Sequence, residues 1–488
     1  MIVTFKIHAM NRIFLTIVFV QCVLILSAQN QVDALRYSQF NQMGSARYNA
    51  MGGAFGALGA DLSVMASNPA GIGVYRKSDF GFSLSWSLNE VDSKYLGSGN
   101  TINSNSCRPS NVGFVIVQPA NSNGWKFLNY GISYNQLADY NQAFLIVDRN
   151  TSNSILDAEA DKINADLNPE NAANNNGYVQ ADAVFYDSII GGYSNDFEIN
   201  DSYDLNQNHR FTSTGYAGEY DFSISGNYND VLFVGGTFGI QHINYSQQVY
   251  HKEDPNDEDL WLESLESNDY LYSKGSGLNF KFGFIYKINQ LIRIGGAVHT
   301  PTWYNFRDDY WTDVDATIDY PEGREFNTGK SPVGYYNWEL ASPWHLLGNA
   351  ALVIGKSAII SAEYEYVGYQ DMKLSAYDYY FDEENQAIEN LYVAGHTVKI
   401  GGEYRISMVS LRGGFGYYGS PFQSTSANAD AFKLVYSGGV GVALGSLYFD
   451  FSYQYANSKE KYFMYNGASA ADLTTTNNRF STTLGFRF

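Results

Sequence analysis

From residue 79 onward, the chain alternates apolar residues with small or polar ones. In the first such segment, residues 79–89, one face carries Phe80, Phe82, Leu84, Trp86 and Leu88, and the other face carries glycine and serine. A strict period of two over this length predicts a β-strand with one apolar face and one small, polar face.

The same alternation recurs along the rest of the chain. The further segments are 111–118, 126–137, 215–228, 231–250, 270–287, 290–315, 335–354, 357–373, 391–405, 409–418, 432–442, 446–455 and 478–488. Together with the first segment they make fourteen strands. An even number of strands is the rule for single-chain bacterial outer-membrane barrels.

The lengths of the connections support the same prediction. Short turns are predicted at 119–124, 229–230, 288–289, 355–356, 406–408 and 444–445, and long loops at 90–110, 138–214, 251–269, 316–334, 374–390, 419–431 and 456–477. Strict alternation of long and short connections is typical of barrels with short turns at one rim and long loops at the other. We therefore predict an all-β fold, a transmembrane antiparallel β-barrel over residues 79–488.

Composition agrees with a barrel and narrows the alternatives. Aromatic residues make up 16% of the chain, including 40 Tyr and 31 Phe, and charged residues only 16%. Beyond the first 28 residues no run of 18 apolar residues occurs, so no membrane-spanning helix is expected. Low charge with abundant Tyr and Gly is expected of an outer-membrane barrel. A secreted array of β-sandwiches remains the alternative.

The first 28 residues have the features of a signal peptide. Lys6 and Arg12 precede an apolar stretch at 13–26, and Ser27 and Ala28 provide small residues for cleavage. Without Lys6 and Arg12, the 30 basic residues fall to 28 against 50 acidic ones, a net charge of −22. This charge argues against nucleic-acid binding. We expect the mature protein in the outer membrane of a Gram-negative cell.

No motif for catalysis, a metal or a cofactor is found. The mature chain keeps only Cys107, which excludes an intramolecular disulfide and a thiolate metal cluster. The histidines lack metal-binding spacing, and the sequence contains no G-x-S-x-G motif. We therefore expect no enzyme activity, no metal and no cofactor. A barrel enzyme with a Ser/His/carboxylate group at the membrane edge is an alternative for which the strands offer no candidate.

Residues 29–78, hereafter the hatch, differ from the rest of the chain. The central part, residues 44–73, contains seven glycines and many alanines, with apolar residues such as Met51, Phe55 and Val64 between them. Such a segment buries too little side-chain area to fold alone, and glycine suits close backbone approach. We predict that the hatch fills the barrel as a plug. A flexible Gly-rich linker or a nucleotide-binding loop of a soluble protein is the alternative.

Inward positions of the predicted strands carry a set of charged residues. These lumen charges are Lys281, Arg293, Glu363, Glu365, Lys399, Glu403, Arg405, Arg412 and Arg487. They can pair with one another and with the hatch charges Arg47, Asp61, Arg76 and Lys77. We predict that this pairing holds the hatch. Direct contact with a ligand carboxylate, for which Arg is the natural partner, is the alternative.

The hatch also contains short motifs that precede the first strand in a fixed order. They are Arg47, Gly52, Gly53 and Asp61, followed by the turn Asn68, Pro69, Ala70 and Gly71. With the fourteen strands and the C-terminal Phe488, these motifs resemble the FadL/TodX-type family of outer-membrane transporters over nearly the whole mature chain. The Tyr-rich loops look more like the Bacteroidetes branch of that family, whose members are often labelled hemin receptors or hydrocarbon transport proteins.

The resemblance implies a mechanism. A hydrophobic ligand is caught between outer loops, moves to a pocket as the hatch rearranges, and leaves sideways into the membrane through a kink in the third strand. The candidate for that kink is Asn129, Tyr130 and Gly131, where the third strand shifts its alternation after Phe127.

The expected function is therefore passive transport of hydrophobic small molecules, of the long-chain fatty-acid kind. The expected partners are the lipid bilayer and lipopolysaccharide, the hydrophobic ligand and, through Phe488 at the end of the last strand, the barrel insertion machinery. The family is usually monomeric. The alternative function is a FadL-like barrel that anchors a partner in protein secretion, as PorV-type proteins do, without transporting small molecules.

Overall fold

The computed structural model describes residues 30–151, 153–158, 186–187, 192–193, 204–256, 262–320, 323–355 and 357–488. The predicted signal peptide lies outside these residues.

The described part is dominated by β-strands. They are β1 (Asp79–Tyr95), β2 (Ser98–Ser122), β3 (Trp125–Asp139), β4 (Gln142–Thr151), β5 (Tyr186–Asp187), β6 (Gly192–Tyr193), β7 (Leu205–Tyr228), β8 (Leu232–Pro255), β9 (Leu262–Lys287), β10 (Ile292–His299), β11 (Trp303–Tyr320), β12 (Gly323–Lys330), β13 (Gly334–Ala341), β14 (His345–Ile354), β15 (Ala358–Gly368), β16 (Lys373–Ser375), β17 (Ala394–Ile406), β18 (Val409–Tyr418), β19 (Lys433–Leu444), β20 (Leu447–Tyr462) and β21 (Ala471–Arg487).

Within the described residues, β5 and β6 pair only with each other, and the other strands close into an antiparallel barrel of fourteen spans. β1 pairs with β2 on one side and with β21 on the other, which closes the sheet. β10 and β11 both pair with β9 and form the seventh span, and β13 and β14 form the eighth. β15 and β16 form the ninth span. The predicted fold class and strand count are confirmed.

The alternation of the sequence corresponds to the two faces of the barrel wall. On β1, Phe80 and Trp86 point outward and are 46% and 48% exposed, whereas Ser83 and Ser85 are buried on the inner side. An outward apolar face is suited to an apolar environment such as lipid, and small inward residues leave space in the lumen of the barrel for a plug.

Four of the predicted long loops are wrong as loops. Residues 251–269 lie mostly in β8 and β9, and residues 456–477 lie mostly in β20 and β21. Residues 90–110 continue β1 and β2 as a hairpin whose turn is Leu96 and Gly97, both with positive φ, as a tight hairpin turn requires. Residues 316–334 lie mostly in β11 and β12, which pair with each other. These hairpins are polar on much of both faces, so the apolar alternation that marks the membrane band does not extend over them.

The remaining described elements are short helices. The α-helices are α1 (Gln31–Arg36), α2 (Ala46–Ala50) and α3 (Asp382–Leu391), and the 3₁₀ helices are η1 (Leu62–Ala66), η2 (Pro69–Val74) and η3 (Tyr369–Asp371). None of the helices in the described part of the chain has the length and hydropathy needed to cross a bilayer.

The hatch lies inside the barrel. Met51, Phe55 and Met65 are fully buried and belong to a core that also includes Val115 and Ala351 of the wall. The first residues of the hatch extend toward the long-loop rim, where the Tyr37 ring stacks on Phe306 at 4.6 Å between ring centroids. The hatch is therefore a packed plug rather than a linker.

Glycines of the wall let the hatch approach closely. A Cβ on Gly414 of β18 would overlap the backbone of Met51 and Gly52, whereas a Cβ on the neighbouring Gly413 would meet only Ser437 O at 3.9 Å. Gly414 faces the hatch and Gly413 faces outward.

Gly414→Ala is expected to destabilise the protein by about 1–3 kcal/mol, because the added methyl forces the hatch away from the wall. Gly413→Ala is the matched control and should leave stability unchanged. The measurement is the unfolding midpoint in denaturant, together with protease sensitivity of the hatch. Equal effects of the two substitutions would contradict the close contact.

Candidate functional site

One buried ion-pair chain joins the hatch to the wall. Arg47 Nε lies 3.0 Å from Glu403 Oε2, and the Arg412 Nε of the next strand lies 2.7 Å from the same oxygen. Arg412 also pairs with Asp450 at 2.6 Å. Burial lowers the pKa of the Arg47 guanidinium, but the carboxylates of Glu403, Asp61 and Asp450 together more than offset this, so that the pKa lies above its ordinary value.

A second group of wall residues binds the hatch backbone. Glu363 Oε2 accepts a hydrogen bond from Gly56 N at 3.2 Å, and its other oxygen lies 3.1 Å from Lys399 Nζ. Arg293 donates to Leu58 O at 3.1 Å. These wall side chains therefore bind hatch peptide groups rather than hatch charges.

Lys399 also joins Glu363 to Glu365. Its Nζ lies 3.5 Å from Glu365 Oε2, and Glu365 Oε1 lies 2.8 Å from His345 Nδ1. These contacts stay within the wall, at the border of the lumen.

The Asn68 turn connects the hatch to itself and to β9. Asn68 Nδ2 donates to Gly56 O at 2.7 Å and to Phe284 O at 3.1 Å, while its Oδ1 accepts from Ala70 N at 3.2 Å. Asn68 thereby caps η2, whose first residue is Pro69, a favoured position for proline. A Cβ on Gly283 of β9 would overlap the Asn68 side chain, so that glycine makes room for the turn.

The other hatch motif residues shape the hatch itself. Asp61 caps η1 by accepting from Ser63 N at 3.0 Å, and it also accepts from Ser45 Oγ at 2.8 Å. Gly52 and Gly53 both have positive φ, which other residues adopt at a cost. Gly71 O accepts a hydrogen bond from Ala60 N at 3.0 Å, which joins η2 to the residues just before η1.

Several predicted pairings are not made. Lys281 pairs with Glu219 and Asp221 of β7 instead of the hatch. Arg405 is exposed near the short turn after β17. Asp61 bonds within the hatch, so it does not pair with a lumen charge.

The hatch charges near the short-turn rim also differ from the prediction. Lys77 is exposed. Arg76 pairs with Asp230 in the turn between β7 and β8, and Lys126 Nζ lies 3.0 Å from the same carboxylate. Hydrogen bonding by Asn227, helped by Lys126 and Arg76, lowers the pKa of Asp230 to about 2. Arg487 faces Asp79 at the base of β1, at 3.5 Å, rather than the hatch.

The predicted kink at Asn129, Tyr130 and Gly131 is wrong. These residues pair in regular register with both β2 and β7, and the register shifts of β3 lie between Trp125 and Phe127 and between residues 136 and 138. Asn129 Nδ2 donates to Ile72 O at 2.7 Å and to Tyr75 O at 3.2 Å. A Cβ on Gly131 would press on the side chain of Met65. Asn129 and Gly131, which suggested an irregular backbone, therefore contact the hatch instead.

A cavity of about 290 Å³ lies in the lumen between the hatch and the long-loop rim. Its apolar lining includes Leu35, Phe40, Leu137, Val367 and Phe422, and its charged lining includes Glu219, Lys281, Glu363, Glu365, Lys399 and Lys433. The cavity is bordered below by Tyr48, Asn49, Gly52 and Gly53 of the hatch.

Lys433 differs from Lys281 and Lys399, which also line the cavity. Its Nζ lies 4.7 Å from the centre of the Tyr418 ring. Lys281 and Lys399 pair with carboxylates, whereas Lys433 forms no ion pair with any residue in the described ranges. It is thus a cation at the cavity that an anionic ligand group could approach.

The sequence interpretation missed part of this site. Glu219 and Asp221 lie two residues apart on an inward face, and Asp450 has the same inward position on β20. Because alternate residues of a strand point to opposite faces, their positions within the predicted strands would have identified these three residues as inward-facing. Lys433 stands at the very start of a strand, where the alternation gives no direction. Across the described residues, no cluster of three or more His, Cys, Asp or Glu is arranged to hold a metal ion.

Known proteins resemble this chain in three-dimensional structure but not detectably in sequence. No protein-family model matches the chain, and no curated protein matches it. The FadL homologue of Pseudomonas aeruginosa superposes with a TM-score of 0.57 over 92% of this chain and 99% of its own, at 13% identity. The toluene transporter TbuX of Ralstonia pickettii gives 0.51 over 91% and 98% at 15% identity. TodX of Pseudomonas putida, also a toluene transporter, gives 0.52 over 92% and 100% at 11% identity. The chain therefore shares the fold of these proteins.

Glu403→Gln is expected to loosen the hatch, because it leaves Arg47 and Arg412 beside each other without their shared carboxylate. Breaking a buried charge pair costs about 3–5 kcal/mol. The unfolding midpoint should fall, and the hatch should become sensitive to protease in detergent.

Arg405→Met is the matched control two residues away on the same strand, where the side chain is exposed. It should change stability by less than about 0.5 kcal/mol. A Glu403→Gln variant as stable as the control would refute the role of this ion-pair chain.

Proposed function

We propose that this protein is an outer-membrane passive transporter for hydrophobic small molecules, with ligands of the long-chain fatty-acid kind. The ligand enters between the long loops, occupies the lumen cavity, and passes on to the bilayer when the hatch rearranges. The proposal involves no catalytic step.

The observation that carries the proposal is the position of the cavity. It lies directly above the hatch, inside a barrel whose outer surface is apolar, and its volume of about 290 Å³ is near the lower end of the range of roughly 300–1,000 Å³ for small-molecule pockets. The similarity of the fold to that of hydrocarbon transporters supports the same conclusion.

The attachment of the hatch supports the rearrangement. Among the described hatch residues, β-bridges to the wall are limited to the pair Met43 and Gln136. Most other polar contacts join a side chain to a backbone group, as between Thr237 Oγ1 and Met65 O at 3.0 Å. Such bonds are worth about 0.5–1.5 kcal/mol each and can be exchanged for water one at a time. The hatch can shift without opening the β-ladder of the wall.

The position of Lys433 supports the proposal that the ligand carries an anionic head group. Its ammonium borders the cavity and has an aromatic ring, not a carboxylate, as its neighbour. The apolar lining residues would then contact the hydrocarbon chain, while the carboxylate of a fatty acid would pair with Lys433.

A second candidate function is a barrel that anchors a secreted partner. Tyr377 and Tyr380 are almost fully exposed in the long loop before α3, whose first turn carries three acidic residues. Aromatic residues are enriched at protein interfaces. These side chains favour a docking role at the outer rim over one in the lumen.

The test is equilibrium binding of a labelled long-chain fatty acid to the purified barrel in detergent. Saturable binding is expected for the wild type and for Tyr380→Ala, because Tyr380 is exposed and does not line the cavity. Transport into liposomes should weaken in Asn68→Ala, which removes the bonds of the hatch to Gly56 and Phe284. Absence of saturable binding would refute the fatty-acid proposal and favour the anchor.

Lys433→Met is expected to weaken fatty-acid binding by roughly tenfold or more, since a charge-assisted bond is worth about 1.5–3 kcal/mol. Binding of a neutral hydrocarbon of similar length should be unaffected. Lys461→Met is the control, because Lys461 pairs with Asp472 on the exposed part of the rim. Equal loss for acid and hydrocarbon would contradict a head-group role for Lys433.

A further inference from the structure

Three adjacent spans of the barrel are interrupted at one level. Residues 300–302 separate β10 from β11, residues 342–344 separate β13 from β14, and residues 369–372 separate β15 from β16. The registers place the first two breaks opposite each other, because His299 pairs with His345 on one side and Trp303 pairs with Ala341 on the other. Pro301 and Pro343 occupy matching positions in these breaks.

The eighth and ninth spans are not joined by backbone at this level. Ala341 pairs with Lys373 above the break, and His345 pairs with Val367 below it. On its other side the ninth span pairs with β17 only as far as Gly368. Between these points the wall is closed by side chains, among which Tyr369 and Met372 are buried.

The backbone groups of the break find partners locally. Thr302 N donates to Ser342 Oγ at 2.8 Å, and Ser342 N donates to Thr302 O at 3.0 Å. Met372 N donates to Tyr369 O at 3.4 Å. The two prolines have no N–H to satisfy. An irregular backbone at membrane depth is tolerated only where its polar groups are satisfied in this way or line a cavity.

The lumen cavity reaches the break from inside. Thr300, Thr302, Ser342 and Tyr369 all line the cavity. The Tyr369 ring lies on the lumen side of the break, where a Cβ on Gly395 of β17 would meet it at 2.5 Å. A movement of this side chain would open the cavity toward the break without breaking a strand pair.

On the outside, the break lies at the upper edge of the apolar band. Trp303 borders the break on the seventh span, Trp344 is the last residue of the break on the eighth span, and they are 50% and 48% exposed. Leu346, one outward position below Trp344, is exposed and apolar, whereas Glu339 above the break is exposed and charged. Tryptophan at the border between an apolar and a polar surface is typical of the membrane interface.

We propose that the interruption between the eighth and ninth spans is a side portal, through which an apolar solute passes between the lumen cavity and the outer leaflet, with Tyr369 and Met372 as its gate. The proposal rests on the proposed transport function and specifies its route. It replaces the third-strand kink, where the ladder is continuous.

The test measures access from the bilayer and needs no knowledge of the natural ligand. In a Cys107→Ser background, a single cysteine is introduced as Ser342→Cys, and Gln454→Cys is the matched control. Both residues line the cavity, but Gln454 lies on β20 in an unbroken ladder. The protein in liposomes is treated with a maleimide carrying a dodecyl chain or with a charged, water-soluble maleimide.

The bilayer-resident reagent should label Ser342→Cys roughly tenfold or more faster than Gln454→Cys, because opening a side-chain gate is a local fluctuation. Tyr369→Ala should increase the Ser342→Cys rate further and leave the Gln454→Cys rate unchanged. The charged reagent should not prefer Ser342→Cys.

Equal rates for the two cysteines with the bilayer-resident reagent, or no response to Tyr369→Ala in folded protein, would overturn the portal. Fatty-acid binding of the same variants in detergent is measured separately. A portal that labels as expected in a protein that binds no fatty acid would refute the proposed ligand but not the route. Binding without selective labelling would refute the route alone.

Discussion

The structure depends on one constraint: a hatch with little regular secondary structure lies inside a closed barrel, so its peptide groups must find partners on the wall. Wall side chains supply them. The acceptors in the hatch include Ala50 O, Leu58 O, Met65 O, Ala70 O and Ile72 O, and the donors are, in the same order, Ser437, Arg293, Thr237, Ser225 and Asn129. Because a buried, unpaired peptide group costs about 1–3 kcal/mol, these polar inward residues are as necessary to the plug as its apolar core.

The same constraint makes transport physically reasonable. A plug that continued the β-ladder of the wall could not move without breaking the sheet, whereas a plug held by separate side-chain bonds can exchange them for water. The ion-pair chain through Glu403 is the strongest single attachment, and it holds α2 at one side of the hatch. The Asn68 turn holds the other side against β9. Between them the cavity lies on the long-loop side of the hatch, where a solute from outside would arrive.

The sequence predicted the barrel well because its evidence is local. Each outward Phe or Leu and each inward Ser follows from the period of two, and the strand count follows from repetition. The strands beyond the membrane band were missed because residues such as 90–110 are polar on much of both faces.

The kink predicted at Asn129 and Gly131 was wrong because the same small and polar residues that permit an irregular backbone also permit close contact with Ile72 and Met65. Which lumen charge pairs with which partner depends on register and on the position of the hatch. The sequence pattern therefore suggested a set of lumen charges for a set of hatch charges without saying which would pair. Glu403 pairs with Arg47, whereas Lys281 and Arg405 have no hatch partner among the described residues.

The central claim is that this barrel lets a hydrophobic molecule cross without an energy source. The most direct measurement is the initial rate of long-chain fatty-acid uptake into liposomes that contain the purified protein and no ion gradient or nucleotide. The account predicts a rate that saturates with ligand concentration and exceeds that of protein-free liposomes. A rate equal to that of protein-free liposomes would contradict it.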